Sequence, residues 1–212
     1  MQYGTNLKFA GFVVSDKGVT ADPDKVAAIR DFPAPKNVTE VCSFLGLVQQ
    51  LSHFTPDLAH MTVAIRSLLK KNIAFNWLPV HDNEFITVKS SLCSPVLVEP
   101  FDPTLPTELL TDASKLYCIG FALIQRELHN RARLILCSSR ALTSAQSRYA
   151  AIELECMAVQ WAVSKCEYFL KGIPHFTVVT DHKPLLGIFD KHLHDLPNIR
   201  LCLLYTSPSP RD

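Results

Sequence analysis

The chain of 212 residues has no Cys-x-x-Cys pair and no cysteine and histidine cluster with zinc-ligand spacing. Its seven cysteines, at 42, 93, 118, 137, 156, 166 and 202, are scattered and odd in number, which argues against both a zinc module and a disulfide framework. They read as reduced core residues. No amino-terminal stretch has the basic, apolar and small-residue order of a signal peptide, and no apolar run approaches the ~18 residues of a membrane span. The expectation is a soluble intracellular protein, cytoplasmic or nuclear, neither secreted nor membrane-bound. An excess of charge of one sign is missing too: the formal net charge is +1, so any binding of nucleic acid has to come from local groups. What remains is a hydrophobic content of 48% against 19% charged residues, the composition of a chain that folds rather than one that stays disordered. Its length suits one large or two small domains, each with its own core.

Residues 7–14 (LKFAGFVV) are apolar and run into Asp16-Lys17-Gly18, a turn signal, so a hairpin or strand edge is expected there. Asp22 can cap a helix with Pro23 at its first position, ending near Phe32 before two prolines. From Asn37 to about Lys71 two helical stripes follow, parted at Thr55-Pro56, and another helix is expected from Asp82 to Leu92. The prolines at 95, 100, 103 and 106 mark an extended linker, which puts a domain boundary in the region 76–106. Beyond it, residues 107–111, 117–125 and 132–138 are strand candidates, 144–169 a long helix and 176–180 a further strand, with a helix start near Pro184.

Two of these strands end alike, in Thr111-Asp112 and Thr180-Asp181. If the long helix is a right-handed crossover between parallel strands, both aspartates lie on the same carboxyl rim of the sheet, where open α/β sheets bind ligands. The helix adds a third carboxylate. With Ile152, Cys156, Val159, Val163, Cys166 and Leu170 as its buried stripe, Glu155 lies roughly 60° from Ile152 and Glu153 about 100° away on the other side. Glu155 is therefore the better candidate, and Glu153 reads as a solvated helix residue. Three converging carboxylates repel one another unless cations neutralise them, and an all-oxygen donor set suits Mg²⁺ or Mn²⁺.

Thr111-Asp112-Ala113-Ser114, Gly120-Phe121-Ala122-Leu123, Ser139-Arg140, Tyr149 with Glu153-Leu154-Glu155, and Thr180-Asp181-His182-Lys183-Pro184-Leu185 together resemble the RNase H domain of gypsy-type LTR retrotransposon reverse transcriptases. Upstream, FAGFVVS at 9–15, Asp22-Pro23-Asp24-Lys25-Val26, residues 33–40 and Ser43-Phe44-Leu45-Gly46-Leu47 resemble the region after the polymerase palm in the same Pol polyproteins. The resemblance implies an α/β chain: a small, mainly helical thumb- or connection-like region at 1–76, then an RNase H-like mixed sheet of five-stranded type with flanking helices at 77–201. Residues 202–212, which end in LLYTSPSPRD, match no part of the family and read as a non-native tail.

The same resemblance implies hydrolysis of the RNA strand of an RNA·DNA hybrid by two Mg²⁺ ions about 4 Å apart, held by Asp112, Glu155 and Asp181. Ser114, Arg140, Tyr149 and His182 are implied to hold the hybrid or order the site, and the rest of the reverse transcriptase polyprotein is the implied partner. Several features depart from the family. Its fourth catalytic aspartate, expected beyond the last helix, has no equivalent, and Asp190 and Asp195 come too early in the chain. Cys156 replaces a usual Leu, and Gln50-Leu51-Ser52-His53 replaces an often basic Tyr-Tyr-Arg-Arg stretch, which removes charge that would meet phosphates. The Tyr-x-Asp-Asp turn of the polymerase is absent, so this chain cannot polymerise DNA alone. Two alternatives stay open: a catalytically inactive retroelement remnant that binds nucleic acid or a protein partner, and an unrelated α/β domain that holds a divalent ion at the rim.

Overall fold

The computed structural model describes residues 6–9, 11–70, 73–94, 96–115, 117–185 and 187. It divides into two compact units, Met1–Pro100 and Phe101–Asp212. Asp190, Asp195, Cys202, the 202–212 tail and Lys71 lie outside the described residues.

The first unit opens on an antiparallel meander of three short strands, β1 (Asn6–Phe9), β2 (Phe12–Ser15) and β3 (Gly18–Ala21). The hairpin or strand edge expected near 7–18 is thus part of a three-stranded sheet that precedes the helices. The apolar run 7–14 is not one strand, because Gly11, at φ +84°, turns the chain between β1 and β2. Gly18, at φ +136°, starts β3 so close to the Val98 carbonyl that a Cβ there would lie 2.3 Å from its oxygen, so only glycine fits. Helix α1 (Pro23–Arg30) begins as expected, with the Asp22 carboxylate accepting from the Asp24 N–H. Helix α2 (Val38–Gln50) is capped by Asn37, which accepts from Glu40 N–H at 2.9 Å. The second helical stripe gives only one-turn 3₁₀ segments and the short α3 (Val63–Ser67). Helix α4 (Pro79–Cys93) packs on α1 and α3 and belongs to the first unit, so the division falls at Pro100 and not at 76. The core centres on Phe44, whose ring lies 4.7 Å from Phe85 and 5.5 Å from Phe32. Trp77 packs against it while donating Nε1–H to Asp82.

In the second unit β4 (Thr107–Ala113), β5 (Cys118–Arg126) and β6 (Ala132–Ala141) form an antiparallel meander, and β7 (Thr177–Val179) pairs parallel to β4, giving the order β6-β5-β4-β7. Among the described residues the sheet has four strands, one fewer than the five-stranded type expected. Helix α5 (Ala151–Lys165) makes the crossover and packs on β4 and β5, followed by the single turn α6 (Glu167–Leu170). The helix starts at 151 and not at 144, because Thr143 and Gln146 bond each other in a local turn and Ala150 is extended. Leu109, Phe121, Leu123 and Ile135 of the sheet meet Ala162, Cys166 and Leu170 in the core. Cys118, Cys137, Cys156 and Cys166 are buried and outside any disulfide, but Cys42 is exposed, which corrects its reading as a core residue. Among the described residues no helix is long and apolar enough to cross a membrane.

Candidate active site

The strand register brings the aspartates together. β4 pairs with β7 through Glu108↔Thr177, Leu109↔Val178 and Leu110↔Val179, so the same offset sets Asp112 level with Asp181 two residues further on. The repeated Thr-Asp ending is thus a matched pair of carboxylates on adjacent parallel strands. Asp112 sits within β4, which continues to Ala113, rather than just after the strand; both aspartates are exposed. Glu155 comes to the same place from α5. Ligand oxygens of Asp112, Glu155 and Asp181 all lie within 4.8 Å of one another.

Glu155 is only 6% exposed. Burial, then the Asp181 and Asp112 charges, push its carboxyl from 4.5 up to about 7, while the Ala113 main-chain N–H donates to it and opposes the shift. One of its oxygens, Oε2, is buried without a hydrogen-bond partner. A buried carboxylate left half-satisfied beside two like charges costs several kcal/mol, of the order set by desolvation and repulsion, unless something cationic completes it. Three carboxylates without nitrogen or sulfur donors suit a hard divalent cation, so the residues present fit such an ion. The Thr111 hydroxyl, also buried and without a partner, adds a second uncommitted polar atom next to Asp112 in the chain.

Glu153 corrects an expectation. It is 4% exposed, not solvated, and its carboxylate accepts the Ala150 N–H at 2.8 Å. This is the return half of a capping box; the forward half is missing because alanine has no acceptor. The wheel failed here because α5 is covered on several sides: Glu153, Leu154, Glu155, Cys156, Met157, Ala158, Val159 and Ala162 are all buried.

The four remaining candidates do not form one group. Ser114 closes the β4–β5 turn, its N–H donating to the Cys118 carbonyl at 2.8 Å, and follows Asp112 by two residues. His182 adjoins Asp181, its N–H donating to the Thr180 hydroxyl at 3.2 Å, and opens the 3₁₀ turn Lys183–Leu185. Arg140 is tied into the domain: its guanidinium lies 5.4 Å from the Trp161 ring centroid and donates to Gln146 at 3.2 Å, and burial lowers its pKa from the ordinary value. Tyr149 packs against the cluster of Ile119, Leu154, Met157 and Ala158. Sequence reasoning missed the Ala113 main-chain donor, which no side-chain pattern could have signalled, and the lock made by Glu153, which its place three residues after Ala150 could have suggested.

Comparison with known proteins adds independent findings. A family model described as the RNase H-like domain found in reverse transcriptase matches residues 102–204. The Pol polyprotein of the Drosophila melanogaster transposon 412 is 34% identical over 184 residues, 86% of this chain and 15% of that polyprotein. That of the Drosophila transposon opus is 33% identical over 192 residues, 85% of this chain and 19% of its own length. The Tf2-3 polyprotein of Schizosaccharomyces pombe is 29% identical over 184 residues, 86% of this chain and 14% of its own length. The chain therefore spans between 14 and 19% of these relatives. Among solved structures, the foamy viral protease-reverse transcriptase in complex with an RNA/DNA hybrid has a TM-score of 0.70 at 17% identity, over 94% of this chain and 27% of that one. The same viral protein in complex with dsDNA has a TM-score of 0.70 at 16% identity, over 97% of this chain and 44% of that one. At those identities the likeness speaks for the fold.

Proposed function

Residues 102–204 are an RNase H-like domain of the reverse-transcriptase type carried in a retrotransposon Pol chain, and from that premise we propose that the domain hydrolyses the RNA strand of an RNA·DNA hybrid, with Asp112, Glu155 and Asp181 as metal ligands. The observation that carries this reading is the convergence of the three carboxylates within 4.8 Å around an oxygen with no partner of its own. The order of the FAGFVVS, Asp-Pro-Asp-Lys and Ser-Phe-Leu-Gly-Leu blocks favours a gypsy-type element.

Two divalent ions, Mg²⁺ or Mn²⁺, would supply an activated water and offset charge on the scissile phosphate. The chain's own contribution is placement. Parallel pairing of β4 and β7 fixes the Asp112 and Asp181 backbones at one level, and α5 presents Glu155 from a buried position whose rotamers are limited by packing. The Ala113 N–H holds the Glu155 carboxylate, and Glu153 fixes the first turn of α5 two residues before it. A bound cation would favour the ionised form of the Glu155 carboxyl, which stands raised to about 7 beside the two aspartates. Ser114 and His182, each close in the chain to a rim aspartate, are the residues we assign to the hybrid.

The test is cleavage of a labelled RNA·DNA hybrid by the full chain with Mg²⁺ or Mn²⁺, beside Asp112→Asn. Metal-dependent cutting of the RNA strand that disappears in the variant supports the reading. Absence of cutting by the unmodified chain, with divalent ions binding at the cluster, would make the domain a non-catalytic remnant. Cutting that survives Asp112→Asn would come from another enzyme.

A further inference from the structure

The first unit is packed around Phe44, yet it leaves a cleft of about 370 Å³ between α1, the turn after α2 and the carboxyl end of α4. A packed interior leaves few voids larger than a water, and this volume falls in the range of small-molecule sites. The local sequence explains the space. Helix α1 presents short side chains, Val26 and Ala27, while α4 stops at Cys93 and the chain turns extended at Ser94.

The lining has two parts. Leu51, Phe54, Leu92 and Val96 are among its apolar residues, with Thr20, Thr55, Ser91 and Ser94 also in the lining. Among the described residues, Arg30 is the only lysine, arginine, aspartate or glutamate in the lining. Its Nε and Nη2 donate to the two Asp31 oxygens at 2.9 and 3.0 Å, in a pair exposed on both sides, 63% and 65%, which leaves the Nη1 donors for another anion. A polyanionic backbone gains nothing from the apolar residues, whereas a small molecule with one anionic head and an apolar body satisfies both parts.

We propose that this cleft binds a small amphiphilic anion, an apolar ring or short chain bearing one carboxylate or sulfonate, with the body against Leu51 and Phe54 and the head at Arg30. Such a ligand would bridge α1 to the end of α4 and stabilise the first unit independently of the carboxylate cluster in the second.

The full chain, free of divalent ions, is titrated with 1-anilinonaphthalene-8-sulfonate and with the neutral N-phenyl-1-naphthylamine. Expected is a saturable fluorescence gain at one equivalent. Alkylation of Cys93, a free thiol in the cleft lining, should slow roughly tenfold when the sulfonate probe is present at ten times its dissociation constant. Ala27→Phe, which fills the cleft, should abolish the gain while leaving the circular dichroism spectrum intact. Should that variant fail to fold, Arg30→Gln decides: it should weaken the sulfonate probe several-fold and leave the neutral probe unchanged. The proposal is overturned by a gain that persists in folded Ala27→Phe, by Cys93 alkylation indifferent to the probe, or by an Arg30→Gln effect equal for both probes.

Discussion

Glu84 in the first unit and Glu155 in the second are both helix carboxylates turned toward other parts of their unit, and the chain treats them in opposite ways. Glu84 accepts the N–H groups of Ala64 and Ile65 at 2.8 and 2.9 Å. It thereby serves the start of α3, a helix without a side-chain cap of its own. Both oxygens have partners supplied by the chain, and the carboxylate acts as a fastener. Glu155 has one main-chain donor, one bare oxygen and two aspartates as neighbours. A buried carboxylate whose needs the chain leaves unmet, beside like charges, is held at a cost that a proton or a cation relieves. Folding satisfies the first of these carboxylates and leaves the second with an oxygen unmet.

The sharpest way to separate the units is to damage one core. Phe44→Ala removes a fully buried ring at the centre of the first unit and should cost about 3–5 kcal/mol. Divalent-ion binding by the second unit, followed by calorimetry, should persist. If it vanished with the first unit, the carboxylate cluster would depend on more than its own sheet and helix. Next in size is Asp112→Asn, which should lower hybrid cleavage by roughly a thousandfold, equivalent to about 4 kcal/mol, without lowering the melting temperature of the metal-free chain. A parallel loss of stability would recast Asp112 as a structural residue.

The third prediction concerns pH. The folded Glu155 carboxyl is raised to about 7 from 4.5. Below the unfolded value both states are protonated and stability is whole. Between the two values only the unfolded state ionises, and by the time pH passes the folded value about 3 kcal/mol has been lost. The metal-free chain should therefore be more stable near pH 5 than near pH 8, and Glu155→Gln should remove that difference while abolishing ion binding. Denaturant melts at both pH values test this, and a variant as pH-sensitive as the parent would contradict it. Smallest are the fasteners. Glu84→Ala and Glu153→Ala each strand main-chain donors and should cost about 1–2 kcal/mol by thermal melts. Glu153→Ala should in addition weaken ion binding, because Glu155 follows two residues later on the same turn, whereas Glu84→Ala should leave ion binding alone.

Much of this was legible in the chain itself, for local reasons. Asp22 with Pro23 announced a helix start, because capping is settled by residues within one turn. The matching Thr-Asp endings of β4 and β7 announced the rim aspartates, since strand and turn residues sit side by side in sequence. The errors arose where the deciding contact was distant. Val98 lies far along the chain from Gly18, so the meander that closes on it was not visible as such. Helix α4 was assigned to the wrong side of a boundary at 76 because its partners, α1 and α3, precede the linker rather than follow it. Glu153 appeared solvated because a helical wheel assumes one covered face.

The sequence by itself determined which residues could do chemistry, their order and the elements that carry them, because residue type, capping and hydrophobic period act within a few positions. Only the tertiary structure decided that Asp112 and Asp181 stand level, that Glu155 keeps one oxygen bare, and that Glu153 beside it is spent on holding the helix. Those are matters of register and packing between segments tens of residues apart, where a shift of one residue in pairing would turn the side chains to the other face and disperse the cluster.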